Sequence, residues 1–446
     1  MLFRSPAPPD VDDRDKPGHD DGVTFPDQVR TAIRRSCCDA KNMGDGGEPL
    51  KIEKIRIRRL HGMMETDGPF WEDRLVRPID IYPEYRKQPT LEGGEQIDRS
   101  HLRLKADFLE IHTDDGVIGT AGPVWPEASH LILAQLASII MGKDPLATEL
   151  LWDQMHRLQV HGRQGHMMIA ISAVDCALWD LKGKVFGQPI WRILGGATRD
   201  SVPAYASMLG YAVEDIDLVK ERALACQASG YTAQKWFIRH GPMSGHEGMR
   251  KNVALVAALR EALGDDYDIM IDCWQSLNLD YAVDLCSRIE EYRPRWVEEC
   301  FMPDRIDSHV KLKAKTRIPL AGAEHEYTRW GFKRFIEKDA LDVLQPDIYW
   351  CGGLSETLKI AAYATVHDLI VIPHGHSTPI GIHFSAAQSP VHTPYQEYLV
   401  KWNAIHMHFL KNPLWPVGGS ISLPSAPGAN MDLDSAKIER EEDVRV

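Results

Sequence analysis

The stretch YDIMIDCWQS, residues 267–276, contains the pattern from which the fold can be inferred. Its apolar run, residues 269–271, is typical of a buried β-strand, yet the run ends in the carboxylate of Asp272. An ionised acid is costly to bury without a partner. The meaning of this acid therefore depends on how the other strands of the chain end.

Eight apolar runs of this kind alternate with amphipathic helical patterns over about 200 residues. They are VPAYASML (202–209), TAQKWFI (232–238), DIMID (268–272), RWVEE (295–299), IPLAGAE (318–324), DVLQPD (342–347), IVIPH (370–374) and YQEYLV (395–400). Alternating strands and helices imply a parallel sheet, and eight units predict a closed α/β barrel of the TIM type. A doubly wound open sheet is the main alternative, but no glycine-rich phosphate loop follows the first strand.

The region before the barrel has an α+β character. A strand pattern in KIEKIRIRRLHG (51–62) is followed by a hairpin pattern in DFLEIHTDDGVIGTAG (107–122), which turns at Asp115-Gly116. Two helical patterns then complete a predicted α+β domain over residues 49–158.

Two further boundaries follow from composition and periodicity. Residues 1–48 are rich in proline, aspartate and glycine and have few residues able to anchor a core, which predicts a disordered extension. The barrel is predicted over residues 159–411. It opens with a long helix in MMIAISAVDCALWDLKGKVFG, which Gly187 and Pro189 should end.

The composition excludes several classes of protein. The chain has 446 residues, 43% of them hydrophobic and 26% charged, with a net charge of -13, which argues against general nucleic-acid binding. The eight cysteines form no C-x-x-C pair and are expected to be reduced thiols. The longest apolar stretch is too short to cross a bilayer, and no secretory segment follows Met1, so we expect a cytoplasmic protein without a membrane partner.

Polar residues end most of the predicted strands, at Lys235, Asp272, Glu298 (followed by Glu299), Glu324 (followed by His325), Asp347, His374 and Glu397. Catalytic groups of such barrels lie at these carboxyl ends. The third to fifth strands deliver Asp272, Glu298 and Glu324 at equal intervals, 298 − 272 = 26 and 324 − 298 = 26. Three converging carboxylates repel one another unless a cation lies between them, and oxygen-only ligands suit Mg²⁺.

A simpler interpretation exists for each acid alone. One acid at a strand end more often caps the next helix or forms a surface ion pair, whereas three at equivalent positions favour a metal site. The equal spacing of 26 residues between the three acids, together with the register of the strand, favours Glu298 over Glu299 as the ligand. Glu299 and Glu326 are then expected to face solvent or to support the ligands.

His374 ends the seventh predicted strand and Asp347 the sixth, so the two should be neighbours across the sheet. A carboxylate on one imidazole nitrogen fixes the tautomer and raises the basicity of the other, which suits a general base. A capped structural histidine is the alternative. His376 forms an H-x-H pair with His374 that is also typical of zinc sites, although this spacing places it beyond the strand end.

Six motifs resemble one known family: AISAVDCALWDLKGKVFGQPIWRILGG, MIDCWQS, WVEEC, GAEHEY, LQPDIYWCGGLSE and IPHGHS. From about residue 50 to 440 the chain resembles the mandelate racemase branch of the enolase superfamily, and most closely its acid-sugar dehydratases of the L-rhamnonate type. The resemblance implies a modified TIM barrel, (β/α)7β, under an N-terminal α+β capping domain. It also implies that the C-terminal segment, residues 412–446, packs on the capping domain, and that the chain forms a symmetric homo-oligomer.

The resemblance implies roles for the residues singled out above. Asp272, Glu298 and Glu324 match the Mg²⁺ ligands of the family. His374 matches its general base, and Asp347 matches the partner of that base.

Four further positions are candidates for catalysis or substrate binding. His325 matches a histidine that stabilises the transition state in the rhamnonate enzymes, and Glu397 matches an acid that contacts substrate. Lys235 matches the first lysine of a Lys-x-Lys pair, but Phe237 replaces the second, which disfavours two-base racemisation. Trp274 is a further candidate for substrate contact.

The capping loop ETDGPFWEDRLVRPIDIYPEYRKQ, residues 65–88, departs from the rhamnonate enzymes. Phe70 stands where a histidine is expected, and the expected arginine is Arg99, Arg103 or neither. Because this loop contacts the distal part of the substrate, the identity of the sugar acid stays open.

The sequence therefore predicts an Mg²⁺-dependent dehydratase that converts a sugar acid, with L-rhamnonate as first candidate, to a 2-keto-3-deoxy acid. Three alternatives remain. A racemase or epimerase would need a second base opposite His374. A zinc hydrolase would use His374 and His376 with a further ligand such as Cys300, and a non-catalytic protein would bind a sugar acid without converting it.

Overall fold

The computed structural model of this chain describes residues 49–88 and 93–446. The predicted disordered extension, residues 1–48, lies outside the described residues. Within them, the chain forms an antiparallel sheet at the N-terminal end and an eight-stranded parallel sheet with helices. None of the helices in the described part of the chain is long and apolar enough to cross a membrane. The six cysteines of the described residues are all free thiols.

The N-terminal sheet contains β1 (Ile52–Glu65), β2 (Glu95–Gln96), β3 (His101–Thr113) and β4 (Ile118–Val124). The antiparallel strands β1 and β3 pair along almost their whole length, and β2 and β4 pair with opposite ends of β3. The predicted hairpin is the β3–β4 connection, where Gly116 has a φ of 90° and closes the turn.

The barrel strands are β5 (Ser201–Ser207), β6 (Ala233–Phe237), β7 (Asp268–Asp272), β8 (Trp296–Glu298), β9 (Leu320–Gly322), β10 (Val343–Leu344), β11 (Ile370–Val371) and β12 (Gln396–Leu399). Seven of them lie inside the predicted stretches, and β5 begins one residue before its stretch. Successive strands are parallel neighbours from β5 to β11, and β12 pairs in parallel with β5, which curls the sheet into a barrel. The predicted fold class is therefore confirmed.

Thirteen α-helices lie in the described residues: α1 (Pro126–Leu131), α2 (Ala137–Ile140), α3 (Thr148–Leu158), α4 (His166–Val185), α5 (Ile190–Ile193), α6 (Ile216–Ala228), α7 (Gly245–Leu263), α8 (Leu279–Ile289), α9 (Ile306–Lys313), α10 (Thr328–Glu337), α11 (Gly353–Thr365), α12 (Thr378–Ala387) and α13 (Val400–His406). A π-helical turn, Ile132–Leu136, joins α1 to α2. The last barrel strand is followed by α13, which has only seven residues.

The C-terminal segment returns to both halves of the structure. Its strand β13 (Ser420–Ser422) pairs antiparallel with β5, and β14 (Arg440–Asp443) pairs antiparallel with β1. The buried carboxylate of Asp180 on α4 accepts hydrogen bonds from the backbone N–H of Thr120 at 2.8 Å and of Ala429 at 2.7 Å. One helix therefore joins β4, the barrel and the C-terminal segment.

The interior of the barrel is layered because alternate residues of a strand face the same side. An apolar layer is formed by Tyr205, Ala233, Met270, Trp296, Ala321, Val343 and Ile372. Two residues further along the chain from five of them lie Lys235, Asp272, Glu298, Gln345 and His374, and Glu397 on β12 joins this polar layer. The polar layer at the carboxyl end of the barrel contains most of the predicted site.

Candidate active site

Lys235 lies at the centre of the polar layer. Its ammonium nitrogen is 3.0 Å from Asp272 Oδ2 and 2.8 Å from Glu397 Oε1, and it also bonds to Glu298. These side chains are almost fully buried. Burial lowers the pKa of Lys235, but the three carboxylates outweigh burial and raise that pKa well above its usual value. Lys235 is therefore a charged residue that holds three acids together.

One lysine does not neutralise the acids of this layer. Burial raises the pKa of Glu298 well above its usual value, and repulsion by Asp272 adds to this, while Lys235 acts in the opposite direction. Burial and the neighbouring Glu299 also raise the pKa of Asp272 and of Glu324. These acids resist simultaneous ionisation because their negative charges are close and shielded from water.

Asp272 and Glu298 end β7 and β8, and Glu324 follows the last residue of β9 by two positions. The three strands are adjacent, since β7 pairs with β8 and β8 with β9. Lys235 contacts Asp272 and Glu298, whereas Glu324 belongs to a second group nearer the rim. There His325 Nδ1 is 3.1 Å from Glu299 Oε2 and 3.4 Å from Glu324 Oε1. Burial lowers the pKa of His325, but Glu299 outweighs it and the pKa is raised.

Of the two alternatives for Glu299 and Glu326, the solvent-facing one is wrong, because both are buried. The alternative in which they support the ligands stays a prediction. Glu299 follows the last residue of β8 with a φ of 45°, which breaks the alternation of the strand and turns its side chain toward His325. Gln275, also at positive φ, donates to Glu299 Oε2 at 3.2 Å. The paired acids of the WVEEC motif marked this position, but its backbone conformation was not predictable from alternation.

The base and its partner are in contact. His374 Nδ1 is 2.7 Å from Asp347 Oδ2, and Asp347 Oδ1 accepts a hydrogen bond from the backbone N–H of Tyr349 at 2.8 Å. His374 Nε2 points to the acid group and is 3.4 Å from Glu324 Oε2. Burial raises the pKa of Asp347, but interactions with His376 and His374 outweigh burial and lower it, so Asp347 is a carboxylate.

The donor set fits a divalent cation. The buried acids are Asp272, Glu298, Glu299, Glu324, Asp347 and Glu397, and the cations near them are Lys235 and, when protonated, His325 and His374. Oxygen donors with an excess of negative charge suit a hard ion such as Mg²⁺. Among the described residues, Glu299, Glu324 and His325 offer ligand atoms within 4.8 Å of one another. The ligand roles of Asp272, Glu298 and Glu324 stay a prediction.

Glu397 and Trp274 were predicted to contact substrate. Glu397 is buried inside the barrel. One of its carboxylate oxygens contacts Lys235, and the other accepts a hydrogen bond from Gly375 N–H at 2.8 Å. Trp274 is half-buried at the rim, and its ring meets the ring of His325 edge-on at 5.9 Å. Of the two, Trp274 is better placed to contact a ligand that binds at the rim of the barrel beside the buried acids.

The predicted capping-domain arginines lie on the N-terminal sheet. Arg103, on β3, is half-exposed and bonds to Glu95 at 3.0 Å. The carbonyl of Arg99 accepts a hydrogen bond from Gly68 N–H in the turn that precedes β3. Phe70 packs edge-on against Trp71 at 5.0 Å. The structure does not bring these arginines to the polar layer, and their role in substrate binding stays a prediction.

The H-x-H pair does not converge on one point. The rings of His374 and His376 are parallel, 7° apart, with their centroids separated by 6.2 Å. The Asp347 carboxylate faces Nδ1 of both. This arrangement does not match a zinc site that uses both histidines, because zinc ligands must meet at about 2 Å from the ion.

Two sequence profiles match the chain. The N-terminal domain of the mandelate racemase / muconate lactonizing enzyme family matches residues 103–195, and a domain described as enolase C-terminal domain-like matches residues 218–437.

Individual relatives cover most of the chain. L-rhamnonate dehydratase of Saccharopolyspora erythraea is 32% identical over 400 residues, which are 86% of this chain and 97% of that protein. A crystal structure of rhamnonate dehydratase from Gibberella zeae complexed with Mg has a TM-score of 0.74 and 29% identity, covering 89% of this chain and 97% of that chain. A racemase from Streptomyces coelicolor with bound magnesium has a TM-score of 0.69 and 25% identity, covering 87% and 98%.

The capped barrel with acids and a histidine at its carboxyl rim defines this protein as an enzyme of the enolase superfamily. Within that superfamily, the chain belongs to the mandelate racemase / muconate lactonizing enzyme family. The family predicted from the sequence motifs is therefore confirmed, as is the prediction of an enzyme.

Proposed function

We propose that this enzyme is an Mg²⁺-dependent sugar-acid dehydratase, with L-rhamnonate as the first candidate substrate and a 2-keto-3-deoxy acid as product. The observation that carries the proposal is the orientation of His374. Asp347 holds its Nδ1 at 2.7 Å, and its Nε2 points to the buried acid group through Glu324. A base held in this way and directed at the proposed cation position is suited to removing the proton next to a carboxylate.

The reaction begins at the C2–H bond of the substrate. His374 Nε2 accepts the proton, and the bonding electrons form an enediolate that carries extra negative charge. Asp347 keeps His374 Nδ1 protonated, so that Nε2 is the free nitrogen, and it stabilises the imidazolium that forms. Asp272, Glu298 and Glu324 would hold an Mg²⁺ ion, whose positive charge would make the C2 proton more acidic.

The second half of the reaction breaks the C3–O bond. His374 returns its proton to the departing C3 hydroxyl, which leaves as water, and the electrons of the enediolate form the C2–C3 double bond of an enol. The enol then takes up a proton at C3 and loses the proton of its C2 hydroxyl, which gives the 2-keto-3-deoxy acid. His325, whose pKa is raised by Glu299, can stabilise the developing negative charge when it is protonated.

Phe237 supports dehydration over racemisation. It stands where the relatives of this branch carry a second lysine, and its ring packs with Leu75 and Leu399 in an apolar cluster. Lys235 Nζ lies 5.4 Å from the Phe237 ring and is held by acids, so it is poorly placed to act as an opposing base. One-base chemistry through His374 is the simpler reaction for this site.

The substrate class rests on the relatives named as L-rhamnonate dehydratases. The experiment is a panel of aldonates and aldarates, including L-rhamnonate, L-lyxonate and L-mannonate, incubated with Mg²⁺ or with chelator. We expect 2-keto acid formation from one or a few of them, and none with chelator or with His374→Ala. If His374→Ala converts the substrate as fast as the wild-type enzyme, His374 is not the base of the reaction. Binding without turnover by the wild-type enzyme would favour a sugar-acid-binding protein.

A further inference from the structure

His376 is a buried histidine to which the proposed reaction assigns no role. It lies in the short 3-10 helix Gly375–Ser377 after the base, and 2% of its surface is exposed. Its ring is enclosed by other rings: Trp350 at 4.9 Å, His406 at 4.2 Å, Tyr349 at 5.8 Å and Trp402 at 6.1 Å. These contacts fix the plane of the imidazole.

The ring nitrogens of His376 are poorly satisfied. Among the described residues, neither nitrogen has a hydrogen-bond partner at normal distance, and Nδ1 lies 3.5 Å from Asp347 Oδ2. Leaving a buried polar group in this state costs about 1–3 kcal/mol. An apolar side chain would fill this aromatic enclosure without that cost, so the imidazole is expected to have a function.

The partner of His376 is already in use by the base. Asp347 Oδ2 accepts a hydrogen bond from His374 Nδ1 at 2.7 Å and faces His376 Nδ1 on its other side. The parallel arrangement of the two rings places the carboxylate oxygen between two imidazoles. Burial lowers the pKa of His376 and outweighs the opposite effect of Asp347, so the ring is neutral and carries a single N–H.

We propose that His376 is a positioning residue for the His374–Asp347 pair, which directs its Nδ1–H to Asp347 Oδ2 and shares that oxygen with His374. The inference rests on the proposed dehydratase reaction, in which His374 must first take a proton and then release it. A carboxylate bonded to His374 alone would hold the imidazolium more strongly. A second donor weakens that hold, fixes the carboxylate rotamer and favours return of the proton to the leaving hydroxyl.

Two substitutions separate a hydrogen-bonding role from a packing role. His376→Leu fills the enclosure with an apolar group and removes the donor, whereas His376→Asn keeps an N–H near the position of Nδ1 but packs less well. We expect kcat to fall about tenfold or more in His376→Leu, as part of the general acid–base contribution. KM and Mg²⁺ affinity should change little, and His376→Asn should recover most of the lost kcat.

His383→Leu is the matched control, because His383 is also a fully buried histidine and its Nδ1 faces the backbone N–H of Trp191 rather than the base pair. It should alter stability and leave kcat near the wild-type value. If His376→Leu does not fold, His376→Phe provides an apolar ring of similar size. An Asn variant as slow as the Leu variant, or slower, would overturn the proposal in favour of a packing role.

A second measurement does not depend on turnover. The His374 Nδ1 proton, bonded to Asp347, should give a downfield proton resonance in the ¹⁵N-histidine-labelled protein, identified by its loss in His374→Ala. Loss of the competing donor strengthens the His374–Asp347 bond, so the resonance should move further downfield in His376→Leu and remain near its original position in His376→Asn. An unmoved resonance in His376→Leu would overturn the positioning role. If the wild-type enzyme converts none of the sugar acids, the proposed function fails, and this resonance still decides whether His376 acts on Asp347.

Discussion

At the residue scale, side-chain alternation explains why acids end the core strands. Met270 packs in the apolar layer of the barrel, and Asp272, two residues later on the same face, enters the polar layer. The same relation connects Trp296 with Glu298 on the neighbouring strand. Lys235 enters between these acids and makes their burial possible, because each carboxylate gains a charged partner.

The contact between His374 and Asp347 predicts the effect of an amide at position 347. In Asp347→Asn the side chain keeps its size but loses its charge, so it neither fixes the His374 tautomer nor stabilises the imidazolium. We expect kcat to fall by about 10²- to 10⁴-fold, with Mg²⁺ affinity close to that of the wild type. Steady-state kinetics and calorimetric Mg²⁺ titration measure the two effects.

The matched control for that substitution is Asp284→Asn, since Asp284 is a surface acid bonded to Arg288 at 2.8 Å. It should leave kcat unchanged. Wild-type kcat in Asp347→Asn would show that His374 does not depend on its carboxylate partner.

At the element scale, α4 is the helix on which the N-terminal sheet rests. Most of its 20 residues are buried. Gly119 on β4 allows this close packing, because a Cβ there would lie 2.2 Å from the carbonyl oxygen of Ala177 and 2.6 Å from Leu181 Cβ. Backbone atoms on the facing helix cannot move aside as a flexible side chain can.

Gly119→Ala should therefore separate β4 from α4. We expect a loss of about 1–3 kcal/mol in the free energy of unfolding, measured by chemical denaturation. Gly241→Ala is the control, because its Cβ would meet a side-chain methyl of Val76 at 3.1 Å, which can shift. Equal stabilities of the two variants would contradict this account of the interface.

Because of His383, a buried histidine on α12, we expect the folded protein to lose stability in acid. Burial lowers the pKa of His383 to about 4, while an unfolded histidine titrates near 6.5. The unfolded state therefore binds the proton more readily between these values, so the stability contributed by neutral His383 is complete above pH 6.5 and is lost as pH falls toward 4. The loss is on the order of 3 kcal/mol.

His383→Leu cannot bind that proton. The wild-type protein should lose more stability than this variant when the pH is lowered from 7 to 4, as measured by denaturant unfolding at each pH. His367→Leu, at an exposed position on the connection after α11, provides the control and should follow the wild type. Parallel pH curves for the wild type and His383→Leu would contradict a neutral buried imidazole at this position.

At the scale of the whole molecule, the capping loop is attached to the barrel by ion pairs. Lys401, after β12, bonds to Glu72 Oε1 at 2.8 Å and to the carbonyl of Gly210 at 3.2 Å. The neighbouring Asp73 bonds to Arg239 at 3.1 Å, after β6. These contacts hold residues from distant parts of the sequence at the carboxyl end of the barrel, where they can exclude water from the site.

Lys401→Met should weaken the attachment of the capping loop to the barrel without altering the buried acids of the polar layer. We expect KM for the sugar acid to rise roughly tenfold, corresponding to about 1.4 kcal/mol, with a smaller effect on kcat. The measurement is steady-state kinetics on the substrate found in the panel. Lys220→Met removes a comparable pair with Glu261 on the exposed helices and should leave KM unchanged. A wild-type KM in Lys401→Met would show that the loop closes without this contact.

Much of the architecture was predictable because it depends on local periodicity. The barrel strands coincide with the eight predicted stretches to within one residue, and the β3–β4 hairpin turns at Gly116 as its Asp-Gly sequence indicated. Adjacent parallel strands bring their carboxyl ends to the same edge, so the contact between His374 and Asp347 followed from strand order.

The sequence by itself determined the order of the strands and the face on which each inward residue lies, because both depend on hydrophobic periodicity. Only the tertiary structure decided how those residues are paired. The turn of Glu299 toward His325 depends on a positive φ, and the approach of His376 to Asp347 depends on rings contributed by distant segments. The position of Lys235 among three acids likewise depends on the curl of the sheet, which brings Glu397 on β12 into contact with Lys235 on β6. Such contacts join residues far apart in the chain, and no local pattern specifies their distances or their charges.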